Sequence, residues 1–233
     1  MWAQQAEIQA EGPLGTVERP AIERHARHPL ADLGELDEDQ QVVDEIQSPS
    51  INRALMRRPQ ISIIGSASGP DPLMQLAREL GEAVVDQGWR IVCGGLAGVM
   101  QAAAEGAQSS AEATGADVIG VLPTLDPSTA NPCVDIVIPT GMQVARNAIV
   151  VAAGDVVIAL GGGSGTLSEL ALAWQMYKPV IALSTQGGWA AELAGRTLDG
   201  RRDDSIHAAH SVEQAIAQTR ELLANASWRP IGF

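Results

Sequence analysis

From residue 59 onward, short apolar runs rich in Val and Ile alternate with longer amphipathic segments. A run of about four to eight such residues is typical of a buried strand, and apolar residues spaced three or four apart are typical of a helix that packs on one face. We therefore predict strands at 60–65, 90–93, 117–121, 134–138, 156–160 and 180–183. We predict helices at 72–87, 98–109, 142–153, 165–177 and 211–224, the last preceded by a short edge strand near Ile206.

This regular alternation is typical of βα units arranged around a parallel sheet. It predicts an α/β fold for residues 59–233, Rossmann-like and doubly wound, with a mainly parallel sheet flanked by helices. In such sheets, ligands bind beyond the carboxyl ends of the strands, where the loops of neighbouring units converge. The glycine clusters of this chain fall after the first, second and fifth predicted strands, so we expect a ligand site there.

Residues 1–58 have a different pattern, in which apolar residues are scattered and prolines recur. Up to residue 50 this segment holds 11 Asp and Glu against 3 Arg. A segment of this kind buries too little apolar surface to offset the entropy lost on ordering. We interpret it as an acidic, mostly disordered extension with one short helix near 38–47. A solvated tail is the favoured interpretation, and a partner-binding arm is the alternative.

The charge and composition exclude several classes of function. The formal net charge is -13, and no run of Lys and Arg is present, so we expect no nucleic-acid partner. No stretch approaches the length of an apolar transmembrane helix, and the N-terminus lacks a signal-peptide pattern, so we expect a cytoplasmic protein without a membrane partner. We expect no disulfide and no metal site, because the Cys and His residues form no ligand cluster. These residues are Cys93, Cys133, His25, His28, His207 and His210.

The strongest local signal is the segment Gly161 to Thr166, which joins the strand at 156–160 directly to a helix. Glycines permit tight turns with positive φ and let an anion approach the backbone, while the N-terminus of the helix supplies unpaired N–H groups and a partial positive charge. The segment therefore predicts a phosphate-binding cradle. Its predicted binding residues are Gly162, Gly163, Ser164, Gly165 and Thr166.

Two further turns follow the first and second strands. Gly65 ends the first strand and Ser66 follows it, while Gly94 and Gly95 follow the second. The turn after the second strand is by itself equally consistent with a glycine-permitted connection that binds nothing. Because the turns meet at one edge of the sheet, we include these four residues among the candidate ligand contacts.

Arg146, Asn147 and Glu169 are the candidate polar residues. A guanidinium at the edge of the site suits a phosphate or carboxylate, although an arginine beside an apolar face more often pairs with a surface acid. Thr166-x-x-Glu169 is also the spacing of a capping box, in which Glu hydrogen-bonds the N-cap residue. On spacing alone, a capping role and a ligand-binding role for Glu169 are equally favoured.

Together these residues resemble the LOG family, phosphoribohydrolases once described as lysine decarboxylases. That family shares its wider fold, the SLOG superfamily, with DNA-processing protein A and the molybdenum-cofactor carrier protein. In LOG enzymes an Arg-Lys pair precedes a Pro-Gly-Gly-x-Gly-Thr-x-x-Glu motif, and its arginine and glutamate are implicated in catalysis. Arg146 and Glu169 match these positions, 23 residues apart. The chain has Gly161 in place of the motif's proline, Asn147 in place of the lysine and Ala145 in place of the glutamate that precedes the arginine. With these departures, the motif is most similar to that of the uncharacterised branch related to the molybdenum-cofactor carrier.

The resemblance implies a nucleotide-like small-molecule ligand and two alternative functions. One is hydrolysis of the N-glycosidic bond of a nucleoside 5'-monophosphate to free base and ribose 5-phosphate, with Arg146 and Glu169 catalytic and no cofactor. The other is non-catalytic binding or carriage of a nucleotide or a phosphate-bearing pterin such as the molybdenum cofactor. NAD-dependent redox chemistry is disfavoured, because no acid follows the first glycine turn at the spacing that binds a ribose hydroxyl. The resemblance also implies a homo-oligomer.

Overall fold

A computed structural model describes residues 57–225 of the chain. The predicted acidic extension and its short helix near 38–47 lie outside the described residues, except for the last two residues of the extension. His25, His28 and residues 226–233 also lie outside them. Arg57 and Arg58, at the start of the described part, form ion pairs with Asp155 and Asp117.

Within residues 57–225, seven strands form one parallel sheet in the order β4-β3-β2-β1-β5-β6-β7. The chain builds the sheet outward from β1 in one direction, then crosses to β5 and builds it in the other direction. This change of direction places a topological switch point between β1 and β5, where a crevice opens at the carboxyl ends of the strands. The strands are β1 (Gln60–Gly65), β2 (Arg90–Cys93), β3 (Val118–Leu122), β4 (Ile136–Pro139), β5 (Val156–Leu160), β6 (Val180–Leu183) and β7 (His207–Ala209).

The helices cover both faces of the sheet, because the two winding directions place their crossovers on opposite sides. Helices α1, α2 and α6 share one apolar cluster with Ile61 and Ile63 of β1, and α3, α4 and α5 share a second with Ile64. The part of the chain that is described contains no helix of the length and apolarity needed to cross a bilayer. The helices are α1 (Asp71–Asp86), α2 (Val99–Ser109), α3 (Asn147–Ala153), α4 (Ser164–Gln175), α5 (Gly188–Leu193) and α6 (Val212–Ala224).

The central strands are buried on both faces, which explains their continuous apolar sequence. All five residues of β5 and all four of β6 are buried. A parallel sheet covered by helices on both sides requires this pattern rather than an alternation of apolar and polar residues. The predicted α/β, doubly wound sheet is therefore confirmed, and every strand of the described sheet is parallel to its neighbours.

Among the described strands and α-helices, two differ from the sequence prediction by more than two residues at an end. The helix predicted at 142–153 begins as a 3-10 turn, Gln143–Arg146, and becomes α-helical only at Asn147. Gln143 has a φ of 51°, which a regular helix does not accommodate. Helix α5 was not predicted, because it is only six residues long and its N-cap and first residue are both glycines, Gly187 and Gly188.

Candidate functional site

A cavity of about 310 Å³ lies at the carboxyl ends of β1, β2 and β5, on the switch point of the sheet. Twelve candidate residues were predicted from the sequence, and ten of them line this cavity. The other two, Gly95 and Gly162, are not part of the lining. The loops of three separate strands therefore meet at one cavity, as the positions of the glycine clusters predicted. The ten lining residues are Gly65, Ser66, Gly94, Arg146, Asn147, Gly163, Ser164, Gly165, Thr166 and Glu169.

The glycine-rich turn after β5 has backbone angles that favour glycine. Gly161 has a φ of 57° and Gly162 a φ of 101°, both in the region that residues with a Cβ rarely adopt. The N–H of Gly162 donates to the hydroxyl of Ser66, 2.7 Å away on the turn after β1. Ser66 therefore joins two of the glycine turns to each other, in addition to lining the cavity.

Helix α4 begins directly after this turn and directs its N-terminus at the cavity. Its N-cap residue is Gly163, and within the described residues no side chain caps it. The first N–H groups of an α-helix have no partner inside the helix, and they carry the positive end of its dipole. Ser164, Gly165 and Thr166 form this first turn, so the cavity meets an anion-binding end of a helix.

Glu169 does not form the capping box that its spacing allowed. Helix α4 begins at Ser164, three residues before the start that a Thr166 N-cap requires, so Glu169 lies inside the helix. Its carboxylate is 3.4 Å from Nη1 of Arg146. The two side chains are only 10% and 12% exposed, so this is a buried pair rather than a surface ion pair.

The guanidinium of Arg146 lies against the backbone of Gly94. A Cβ added at Gly94 would lie 2.5 to 2.7 Å from the guanidinium atoms. A larger residue at this position would therefore force the guanidinium of Arg146 to move. The Nε atom of Arg146 is buried, and it has no hydrogen-bond partner among residues 57–225. A buried donor without a partner is costly, and an anionic ligand that reached this atom would satisfy it.

Burial raises the pKa of Glu169 from its ordinary value of 4.5 to about 7, although the nearby Arg146 lowers it. The carboxyl is therefore close to half protonated at neutral pH, which suits a group that exchanges protons or balances positive charge. The thiol of Cys93, at the end of β2, is fully buried, and burial raises its pKa to about 11. Cys93 therefore stays protonated at neutral pH and adds no negative charge beside Arg146.

Asn147 is engaged with the protein rather than directed freely into the cavity. Its side-chain amide donates to the hydroxyl of Ser168 at 3.0 Å, and that hydroxyl donates to the carbonyl of Gly165 at 2.6 Å. These two bonds connect the start of α3 to the first turn of α4. They fix Arg146, the residue preceding Asn147, relative to the anion-binding turn.

Five residues of the lining were missed by the sequence analysis. All five are apolar, and they are Ile63, Ile64, Ala67, Leu96 and Met100. Ala67, Leu96 and Met100 each lie within six residues of a glycine turn, which is the one sequence signal that pointed to them. The side chains of Ile63 and Ile64 are buried in the two core clusters, so the apolar surface of the cavity that a planar ring could contact comes from the other three.

A second, larger groove of about 480 Å³ lies between α1 and α6, away from the strand ends. Four carboxylates line it, from Glu79, Glu82, Asp86 and Glu213, and Arg220 is its basic residue. This groove would repel an anionic ligand, and it contains none of the candidate residues. The smaller cavity at the switch point is therefore the candidate site.

A family model matches most of the domain, and solved structures match its fold. The model of the SLOG cluster4 family covers residues 58–216. The molybdenum cofactor binding protein of Rippkaea orientalis is 35% identical, with a TM-score of 0.63, over 72% of this chain and 99% of that chain. The molybdenum cofactor carrier protein of Chlamydomonas reinhardtii is also 35% identical, with a TM-score of 0.62, over 72% of this chain and all of that one.

A curated enzyme also matches part of the chain. The cytokinin riboside 5'-monophosphate phosphoribohydrolase of Mycobacterium tuberculosis is 38% identical over 105 residues. These residues are 44% of this chain and 54% of that enzyme. The resemblance predicted from the glycine-rich motif is confirmed at the level of the family and the fold.

Proposed function

The chain belongs to the SLOG cluster4 family, and we propose that its cavity binds a nucleoside 5'-monophosphate and hydrolyses the N-glycosidic bond. The observation that carries this proposal is the arrangement of Glu169. A buried carboxyl with a pKa of about 7 lies on the same helix whose N-terminus forms an anion-binding turn. A phosphate on that turn would therefore bring the attached sugar close to Glu169.

The phosphate would bind to the first turn of α4. The backbone N–H groups of Gly163 to Thr166 and the hydroxyl of Ser164 donate to its oxygens, and the helix dipole stabilises its charge. Arg146 has a buried Nε without a partner in the described part of the chain, and it is the positive side chain in the cavity lining. It would hold the ligand or stabilise the departing group by charge-assisted hydrogen bonds.

Hydrolysis breaks the bond between C1' of the ribose and the base nitrogen. Positive charge develops on the ribose as the bond breaks, and the ionised form of Glu169 stabilises that charge and orients the attacking water. The water oxygen joins C1', one of its protons passes through the carboxylate, and the base leaves with a proton on its nitrogen. The products are the free base and ribose 5-phosphate.

A carrier function is the second candidate, and two observations favour it. The solved relatives of Rippkaea orientalis and Chlamydomonas reinhardtii are a binding protein and a carrier for the molybdenum cofactor, and the chain covers nearly all of each. Ala145 and Asn147 also replace the Glu and Lys that flank the arginine in the hydrolase motif, and Asn147 is occupied by Ser168. In this alternative the same cradle holds the phosphate of a pterin, and Glu169 binds the ligand without turnover.

The test is incubation of the full chain with a panel of nucleoside 5'-monophosphates, with chromatographic detection of free base. Wild-type protein should release base, and the Glu169→Gln variant should bind the nucleotide without releasing base. Glu221→Gln, an exposed change on α6, is the matched control and should remain active. Binding without turnover by the wild-type protein, or a retained pterin mass in native mass spectrometry, would reject hydrolysis and support the carrier function.

We further propose that the protein is a homo-oligomer. Several large apolar side chains of the described residues are exposed, including Leu125, Val144 and Ile149, with Val144 83% exposed. Two copies of a chain with a net charge of -13 would meet most favourably at uncharged surface of this kind. Light scattering coupled to size-exclusion chromatography should give at least a dimer, and Val144→Glu should reduce its mass to that of the monomer.

A further inference from the structure

Helix α5 donates two backbone hydrogen bonds to the glycine-rich turn. The N–H of Trp189 donates to the carbonyl of Gly162 at 3.1 Å, and the N–H of Ala190 donates to the carbonyl of Gly161 at 2.9 Å. Both donors belong to the first turn of α5, where N–H groups have no partner within the helix. The carbonyls of the turn are thereby directed toward α5.

The direction of these carbonyls determines where the neighbouring N–H groups point. In a trans peptide the C=O of one residue and the N–H of the next point in opposite directions. The N–H after Gly161 belongs to Gly162, and it reaches the hydroxyl of Ser66 on the opposite side of the turn. By the same geometry, the N–H of Gly163 faces away from α5, on the side where Gly163 lines the cavity.

Close packing of Gly188 holds the two segments together. A Cβ added at Gly188 would lie 2.5 Å from the carbonyl carbon of Gly161 and 2.7 Å from its oxygen. Gly188 has a φ of 65°, and its neighbour Gly187 has a φ of 69°. A Cβ added at Gly187, in contrast, would have no atom within 4 Å among the described residues.

We propose that Gly188, Trp189 and Ala190 are positioning residues for the anion-binding turn, although they lie outside the glycine-rich motif. Their backbone fixes the peptide planes of Gly161 to Gly163, so that the N–H of Gly163 is presented to the ligand before it binds. A site whose donors are already oriented loses less entropy on binding. This inference rests on the proposed anion-binding function of the cavity.

The glycine pair provides a matched test, with adenosine 5'-monophosphate and inorganic phosphate as probes in isothermal titration calorimetry. Gly187→Ala and Gly188→Ala both place a Cβ on a residue with positive φ, but only the second places that Cβ against Gly161. We expect Gly188→Ala to weaken binding about tenfold and Gly187→Ala to weaken it less than about twofold. Equal affinity of the two folded variants would overturn the inference. Failure of the wild-type protein to bind either probe would instead reject the proposed function.

A second pair of variants tests one hydrogen bond by itself. It tests the positioning role of α5 even if Gly188→Ala does not fold. Trp189→Pro removes the N–H that donates to Gly162, at a helix position where proline is tolerated, and Trp189→Ala keeps it. We expect the Pro variant to bind adenosine 5'-monophosphate at least about fivefold more weakly than the Ala variant. In the wild-type protein, the amide NMR resonances of Trp189 and Ala190 should shift when the nucleotide is added. Unshifted resonances, or equal affinity of the Pro and Ala variants, would overturn the inference.

Discussion

The buried carboxyl of Glu169 should make the stability of the protein depend on pH in a specific way. Its pKa rises from 4.5 to about 7 in the folded chain, so the folded state holds this proton more tightly than the unfolded state does. The stabilisation is fully present below pH 4.5 and is lost as the pH rises through about 7. The pKa difference between the folded and unfolded states corresponds to about 3 kcal/mol in the free energy of unfolding. About 2 kcal/mol of this stabilisation is lost between about pH 5.5 and 8.5.

Glu169→Gln removes this dependence, because an amide resembles the protonated carboxyl and does not ionise. Urea unfolding gives the free energy of unfolding of the wild-type and variant proteins at each of the two pH values. The contributions of the other titrating groups are the same in both proteins, so they cancel when the two free energies are subtracted. We expect the variant to gain about 2 kcal/mol relative to wild type on going from about pH 5.5 to 8.5. A gain below about 0.5 kcal/mol, or a loss, would mean that Arg146 keeps the pKa of Glu169 near its ordinary value, and the reasoning would be refuted.

Three further predictions concern the ligand. If ionised Glu169 stabilises the transition state, base release should increase as the pH rises through about 7, and a pH profile of kcat/KM without this increase would contradict that role. Gly94→Ala should displace Arg146 and weaken adenosine 5'-monophosphate binding about tenfold by calorimetry, whereas Gly200→Ala, where a Cβ meets no described atom within 4 Å, should leave binding unchanged. A Cβ at Gly163 meets no described atom within 4 Å, so Gly163→Val should fold normally, as judged by its melting temperature. The variant should nevertheless bind phosphate more weakly, because the added side chain shields the N–H groups of the cradle. Unchanged affinity would mean that the phosphate binds elsewhere.

The strands and most helices could be predicted from the sequence because local patterns determine them. The buried strands β5 and β6 consist of continuous apolar runs, and their predicted bounds are the observed ones. The position of the cavity at the switch point was also predictable, since a glycine turn after a parallel strand lies at the edge of the sheet where ligands bind in such folds. These inferences need only the order of elements along the chain.

Contacts between distant segments could not be predicted in the same way. The sequence around Gly161 gave no sign that the turn has partners in distant segments. In the structure, α5 donates hydrogen bonds to the carbonyls of Gly161 and Gly162, and the N–H of Gly162 donates to Ser66, 96 residues earlier in the chain. Helix α5 gave no signal because its six residues are too few for a helical period to be recognised. Its contact with the glycine-rich turn consists of tertiary hydrogen bonds between backbone groups. Such bonds do not produce a periodic pattern of residue types in the sequence.

The choice between capping and ligand binding for Glu169 depended on a helix start that the sequence left ambiguous by a few residues. With an N-cap at Thr166, the carboxylate of Glu169 would accept the N–H of the cap residue and would be held at the start of its own helix. The helix instead starts at Ser164, because the glycine turn ends at Gly163, and this start rotates Glu169 toward Arg146 and the cavity. A shift of three residues in the start of one helix therefore separates a helix-capping carboxylate from one that is buried beside Arg146. Since the positive-φ turn that precedes this start accepts two hydrogen bonds from α5, we expect the position of Glu169 to respond to contacts made outside the motif that contains it.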